Sequence, residues 1–323
     1  MEDKDPSKLI KKAQKYIEPG FFKAAFTDVN ERLEKAADCY KEAAEIYKLN
    51  KEWTKAGDCF IEVAKLNEGL KEDPCEAYDN AILCYNKDGN KEKYEKIVDK
   101  LIKINVGNGR FAQAGELTFE KAQKLAEKNQ KNIKEILDLY DQSLDFFQMD
   151  KNSNKNTVNK INEAKADLIT LNGVKDDIDQ AKYIYEEIAK NLSKTPNGKI
   201  FCKDYYAKVI LLLLAYDDYI TAKAYLDKYY DEDGGLYGSD IAAFLENLIS
   251  CMENKGNDIK DETIGSENKV LNFDIAVQMY KKKIRNNPKI WDYWKENIVN
   301  KIGDKISQMK KEKEEEFDED DYR

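Results

Sequence analysis

The sequence predicts an all-α chain built as a stack of antiparallel helix hairpins, and three observations carry that prediction. Before residue 300, apolar side chains recur almost everywhere at i, i+3, i+4 and i+7, with lysine and glutamate on the opposite face. The period-two alternation of a half-buried strand is missing. A small motif also returns in five helices: a large apolar residue, alanine three positions on, and an aromatic or large residue four further.

Taken in order, the first helix runs roughly from Asp5 to Ile17 and ends at Pro19-Gly20, because proline removes a backbone donor and glycine favours the turn. Phe21, Phe22 and Phe26 then fall in a turn with little sequence around them to form a core. A second helix starts near Asn30. Further breaks lie at Asn67 to Pro74, Lys87 to Asn90, Gly107 to Gly109, Asp150 to Asn156, Asn172 to Asp176, Ser193 to Lys199, Asp231 to Ser239 and Gly256 to Lys269. Helices of about 15 to 20 residues occupy the intervals.

The repeated motif tells how the helices associate. Leu33-Ala36-Tyr40, Trp53-Ala56-Phe60, Ile178-Ala181-Tyr185, Tyr219-Ala222-Leu226 and Phe273-Ala276-Tyr280 each share one helical face, and the central alanine leaves a dent into which a neighbouring helix presses. Twice the alanine is followed by glycine, at Ala56-Gly57 and Ala114-Gly115, although glycine inside a helix costs ~1 kcal/mol against alanine. Close approach of a neighbouring helix would offset that loss. A right-handed TPR-like α-solenoid, in which each hairpin buries its apolar stripe against the next, satisfies these requirements although no strict 34-residue period appears.

Composition narrows the functional classes. Histidine is absent, which removes Ser/His/Asp and Cys/His nucleophiles, HExxH zinc sites and imidazole proton relays. A formal charge of −9, from 54 basic against 63 acidic side chains, repels nucleic acid. The six cysteines, Cys39, Cys59, Cys75, Cys84, Cys202 and Cys251, lie inside periodic segments and read as small buried residues in a reducing compartment. No CxxC pair, paired metal motif or GxxxxGK[ST] loop occurs, and Asp231-Glu-Asp-Gly-Gly235 lacks EF-hand spacing, so neither a metal nor another cofactor is expected. The most apolar run, Val209 to Ala215, is too short to span a bilayer and no leader pattern opens the chain. These features predict a cytoplasmic protein. At the end, Glu314 to Arg323 carries seven carboxylates and one cationic side chain, an acidic tail expected to be disordered on its own.

Ordered along the chain, several segments resemble the soluble NSF attachment proteins, the α/β-type SNAP adaptors of membrane fusion. Phe21-Phe22 precedes the second helix as a diphenylalanine loop does there. Leu33-Glu-Lys-Ala-Ala-Asp-Cys-Tyr-Lys-Glu-Ala-Ala-Glu-Ile-Tyr-Lys48, followed by Asn50-Lys-Glu-Trp-Thr-Lys-Ala-Gly57, looks like the family's second and third helices. Gly109-Arg-Phe111 with Ala114, Tyr140 to Phe147, Ala181 to Ile188 and the ending Asp-Asp-Tyr-Arg323 are similar to later segments.

The resemblance implies an adaptor and not an enzyme. It would clamp an assembled SNARE complex of the syntaxin/SNAP-25/synaptobrevin-like kind, recruit and stimulate an NSF-type AAA+ ATPase, and sit peripherally on a membrane surface. Because the bound bundle is acidic in its middle, the resemblance assigns SNARE contact to Lys51, Lys87, Arg110, Lys160 and Lys165. It assigns membrane contact to Phe21, Phe22 and Phe26. Contact with the ATPase falls to Asp218, Glu253, Asp320, Asp321, Tyr322 and Arg323.

Some positions depart from the family pattern. Glu116 stands where a lysine is expected, Ser250 and Asn254 where acids are expected, and Tyr322 in place of leucine. The stretch Lys255 to Lys269 is longer than expected. The predicted organisation is a twisted helical sheet over residues 1–235 with a membrane-facing loop at 18–29, a helical bundle over 236–309 and the tail over 310–323. A generic TPR-like scaffold for another helical or peptide partner is the alternative, and a helical enzyme using carboxylates alone is a third reading.

Overall fold

The computed structural model describes residues 5–19, 27–128, 132–172, 175–216, 218–232, 235–260 and 270–320. Two compact units divide the chain, Met1–Asn154 and Lys155–Arg323. The sequence-based boundary near residue 235 falls inside the second unit.

In the first unit the helices are α1 (Pro6–Ile17), α2 (Val29–Leu49), α3 (Trp53–Leu70), α4 (Cys75–Asp88), α5 (Lys91–Gly107), α6 (Phe111–Lys128) and α7 (Ile133–Met149). Local chemistry sets their ends. Asp5 and Asp28 cap α1 and α2 by accepting from the amides of Ser7 and Asn30, both at 2.9 Å. Pro74 precedes α4, and Gly89 finishes it at φ 70°, the left-handed conformation that glycine adopts without a Cβ clash. From α2 to α6 the connections are two to four residues long, so neighbouring helices run antiparallel and each packs on the next.

Packing follows the alanine motif. In both units Ala36, Ala56, Ala181, Ala222 and Ala276 are at most 1% exposed, and their partners Tyr40, Phe60, Tyr185, Leu226 and Tyr280 are buried with them. What fills the space at the two Ala-Gly pairs is an aromatic ring. A methyl group on Gly57 would lie 2.6 Å from Cε1 of Tyr85, and one on Gly115 would lie 2.8 Å from Cε2 of Phe147. Ser143 Oγ then donates to the Gly115 carbonyl at 2.7 Å, tying α7 to α6.

The second unit contains α8 (Lys155–Asn172), α9 (Lys175–Leu192), α10 (Pro196–Tyr216), α11 (Tyr219–Glu232), α12 (Asp240–Glu253), α13 (Phe273–Lys283) and α14 (Tyr293–Asp320). At its centre is α10, in which Tyr206 through Leu214 are buried without interruption. Helices apolar on all sides are surrounded ones, and α10 packs against α9, α11, α12 and α14. The apolar run that is too short for a bilayer is therefore the core of this unit. Among the described residues no helix is long and apolar enough to cross a membrane.

Three features differ from the sequence reading. First, a two-residue antiparallel ladder pairs Ile259 with Leu271 and Lys260 with Val270, closing the base of the long 255–269 stretch. Second, further breaks separate α6 from α7, α10 from α11 and α13 from α14. The last opens with Arg285 and Asn286 both at φ near 50° ahead of Pro288, whereas neither of the others contains glycine or proline to announce it. Third, residues 310–320 continue α14 instead of forming a structureless tail. From Asp304 onward no glycine or proline interrupts a run rich in lysine and glutamate, both good helix formers. The last buried residue of α14 is Ile306 among those whose exposure is described.

Candidate functional site

Of the residues expected to contact partners that the structure describes, Lys51, Lys87, Arg110, Asp218, Glu253 and Asp320 lie at helix ends and connections, where the backbone requires polar groups, while Lys160 and Lys165 lie within α8. Lys51 sits in the α2–α3 turn with φ 59° and is exposed. Lys87 lies in the last turn of α4, where a cation complements the negative end of the helix dipole. Its ammonium stands 4.4 Å from the ring centroid of Trp53, the first residue of α3. Lys51, Trp53 and Lys87 thus share one edge of the first unit.

Arg110 is at the other edge. It closes the α5–α6 turn, and the antiparallel course of helices 14 to 18 residues long separates the two edges by about 25 Å. Its guanidinium is already engaged, bonded to Asp73 Oδ2 at 2.5 Å and donating to Cys75 Sγ at 3.2 Å. The Arg110 contact, with bonds from Cys75, lowers the Asp73 carboxyl to about 2. Glu116, exposed on α6, is near this edge and lines the same groove as Arg110.

In the second unit Lys160 is exposed on α8 at the mouth of a cavity of about 460 Å3. Lys165 is half-buried on the same helix; five residues of α-helix turn it about 140° away from Lys160. Beneath Lys160 lies a buried lysine the sequence analysis did not single out. Lys208, in the middle of α10, is 7% exposed, with Nζ 2.7 Å from Asp167 Oδ1 and 2.9 Å from Glu163 Oε1. Burial acts to lower its pKa, but the two carboxylates outweigh it and hold the ammonium above its ordinary value. Tyr185 donates to Asp167 at 2.5 Å, and the rings of Trp294 and Tyr185 face the ammonium at 4.8 and 5.1 Å. Trp294 in turn donates to Thr170 Oγ1 at 2.6 Å. A lysine directly abutting the apolar run Val209 to Ala215 was the available signal for this cluster. It joins α8, α9, α10 and α14.

Of the acidic positions, Asp218 caps α11: it accepts from the Thr221 amide at 2.6 Å, the bond chiefly responsible for lowering its pKa. Glu253 is exposed as the last residue of α12, where a negative charge opposes the helix dipole. At the two positions where acids were expected, Asn254 Nδ2 donates to the Ser250 carbonyl at 2.9 Å and finishes that helix. Asp320 is the last residue of α14. Phe21, Phe22, Phe26, Asp321, Tyr322 and Arg323 lie outside the described residues.

Among the described residues these positions are scattered over helix ends, turns and the length of α8, and no catalytic constellation joins them. All six cysteines are buried. Burial pushes the Cys75 thiol up to about 11 and the Cys59 thiol to about 12, so both stay protonated and unreactive at neutral pH. Among the described residues no group of three or more candidate side chains could hold a metal ion.

A sequence model of the family described as soluble NSF attachment protein, SNAP, matches residues 4–307. The chain is 28% identical over 309 residues to the alpha-soluble NSF attachment protein of Saccharomyces cerevisiae, covering 94% of this chain and 98% of that one. It is 26% identical over 287 residues to the vesicular-fusion protein SEC17 of Komagataella phaffii, covering 88% and 95%. Against the alpha-soluble NSF attachment protein of Homo sapiens the identity is 22% over 270 residues, covering 82% and 88%. With a match that spans both units, the chain belongs to the soluble NSF attachment protein family.

Proposed function

We propose that this chain is an adaptor that grips assembled SNARE complexes and brings an NSF-type ATPase to them for disassembly, without turnover of its own. The observation that carries the proposal is the family match over residues 4–307. The hairpin stack of the first unit supports it, since such stacks expose long faces built from many helices and suited to an elongated partner.

In this reading Lys51 and Lys87 meet acidic positions of the bundle from one edge of the first unit, and Lys160 and Lys165 do so from α8. Arg110 reaches a partner only by exchanging Asp73 for an incoming carboxylate. Phe21, Phe22 and Phe26 dip into lipid. Residues 236–309 and the tail 310–323 are presented to the ATPase, with Asp218, Glu253, Asp320 and Asp321 steering its approach and Tyr322 and Arg323 stimulating it. Charged contacts of this sort mainly raise encounter rates and weaken with salt.

The test is release of a fluorescently labelled SNARE complex by a purified NSF-type ATPase, with this protein as the sole adaptor. Release that requires ATP, the ATPase and this chain together is expected. Failure to bind the assembled complex at low ionic strength would sink the reading.

A further inference from the structure

On the first unit, α4 and α6 are separated in sequence by the antiparallel α5, so they run in the same direction, and between them lies a groove of about 530 Å3. Asp79 and Leu83 enter it from one side of α4, four residues apart, and Glu116, Leu117 and Glu120 from one side of α6. Leu83 is 58% exposed, a large apolar side chain standing open. The three carboxylates around it are exposed as well. None of them is paired with a cation among the described residues, although lysine–carboxylate pairs recur on neighbouring helices, such as Lys121 with Asp99 and Lys93 with Asp58. Arg110, the cation at the end of the groove, is held by Asp73. Desolvation chiefly, with the charges of Glu120 and Asp73 behind it, pushes the Asp79 carboxyl up.

Leu83 and Leu117, facing one groove from two codirectional helices, offer an apolar strip on which a third helix can lie, and the acidic side chains beside them set the charge of that helix. We propose that the α4–α6 groove docks a basic amphipathic helix of a partner protein, its apolar stripe on Leu83 and Leu117 and its lysines or arginines on Asp79, Glu116 and Glu120. The groove would then select for positive charge on a chain that is itself negative overall, and it does so independently of the adaptor reading.

The experiment uses the full chain and two synthetic 18-residue helical peptides with the same leucine stripe, one flanked by lysine and the other by glutamate, followed by fluorescence anisotropy. The lysine peptide should bind at least about tenfold tighter than its glutamate counterpart at low salt, with the difference shrinking as salt rises. Glu116→Lys with Glu120→Lys should reverse the preference. Glu116→Gln with Glu120→Gln, which adds no charge of opposite sign, should weaken the lysine peptide, and Leu83→Ser should weaken both peptides. Both glutamates are exposed, so circular dichroism and the melting temperature should stay unchanged and separate a lost contact from a lost fold. Equal affinity for the two peptides, or a preference that survives the charge reversal, overturns the proposal. So does self-association of the protein that the same reversal abolishes, which would assign the groove to a second copy.

Discussion

At the scale of single residues, several side chains carry a structural duty at the position where a partner contact was expected, and substitution has to separate the two. Asp218 shows how. Its carboxylate caps α11 through the Thr221 amide, and loss of such a cap costs about 1 kcal/mol. Asparagine caps nearly as well but carries no charge. Asp218→Ala should therefore lower stability by about 1 kcal/mol in chemical denaturation. Asp218→Asn should hold stability while weakening ATPase recruitment at low salt. An asparagine variant that recruits the ATPase as well as the parent would leave Asp218 with the cap alone. Lys208 shows the opposite case: a charge that sequence spacing places among core residues, retained because two carboxylates and the surrounding hydrogen bonds compensate its burial.

At the scale of elements, the five alanine motifs predicted that each helix presses on a neighbour, and the alanines are buried as that requires. The Ala-Gly pairs were legible as sites of close approach, but the approaching group was not. Helical periodicity identifies the face on which Gly57 lies and says nothing of which neighbour meets it, so the ring of Tyr85 became visible only in the packed unit. The consequence runs against propensity. Gly57→Ala gains ~1 kcal/mol as a helix former, yet its methyl enters the 2.6 Å contact with Tyr85, and overpacking of this kind costs ~1–3 kcal/mol. The variant should be no more stable than the parent and as much as ~2 kcal/mol less stable by urea denaturation. A gain of ~1 kcal/mol would show that the α3–α4 contact is loose. The end of α14 was misread for a related reason. Net acidity suggested a structureless tail, but the local preference of lysine and glutamate for helix, with nothing to break it, carries the helix to Asp320.

At the scale of the whole molecule, function depends on how many weak contacts act at once. If Phe21 and Phe22 enter lipid as proposed, they supply ~3–6 kcal/mol, at ~1.5–3 each, which is too little to anchor one copy on a membrane. Several copies around one membrane-anchored bundle would supply the rest through effective concentration. Phe21→Ser with Phe22→Ser should accordingly slow disassembly of liposome-bound SNARE complexes by about tenfold and leave soluble complexes nearly unaffected. Equal slowing of both would identify a folding role for the pair.

The sequence by itself determined that the chain is helical, where most of the helices begin and end, which faces they bury and which family it belongs to, because all of these follow from local periodicity, turn chemistry and residue order. Only the tertiary structure decided which charges are free to act. Arg110 is spent on Asp73, Asp218 on a helix cap and Lys208 on two carboxylates, while Asp79, Glu116 and Glu120 stand without a cation among the described residues around an open leucine. The reason is that a charge is neutralised by whatever lies within a few ångströms in space, and residues so placed come from different helices, whose spacing along the chain does not encode the pairing.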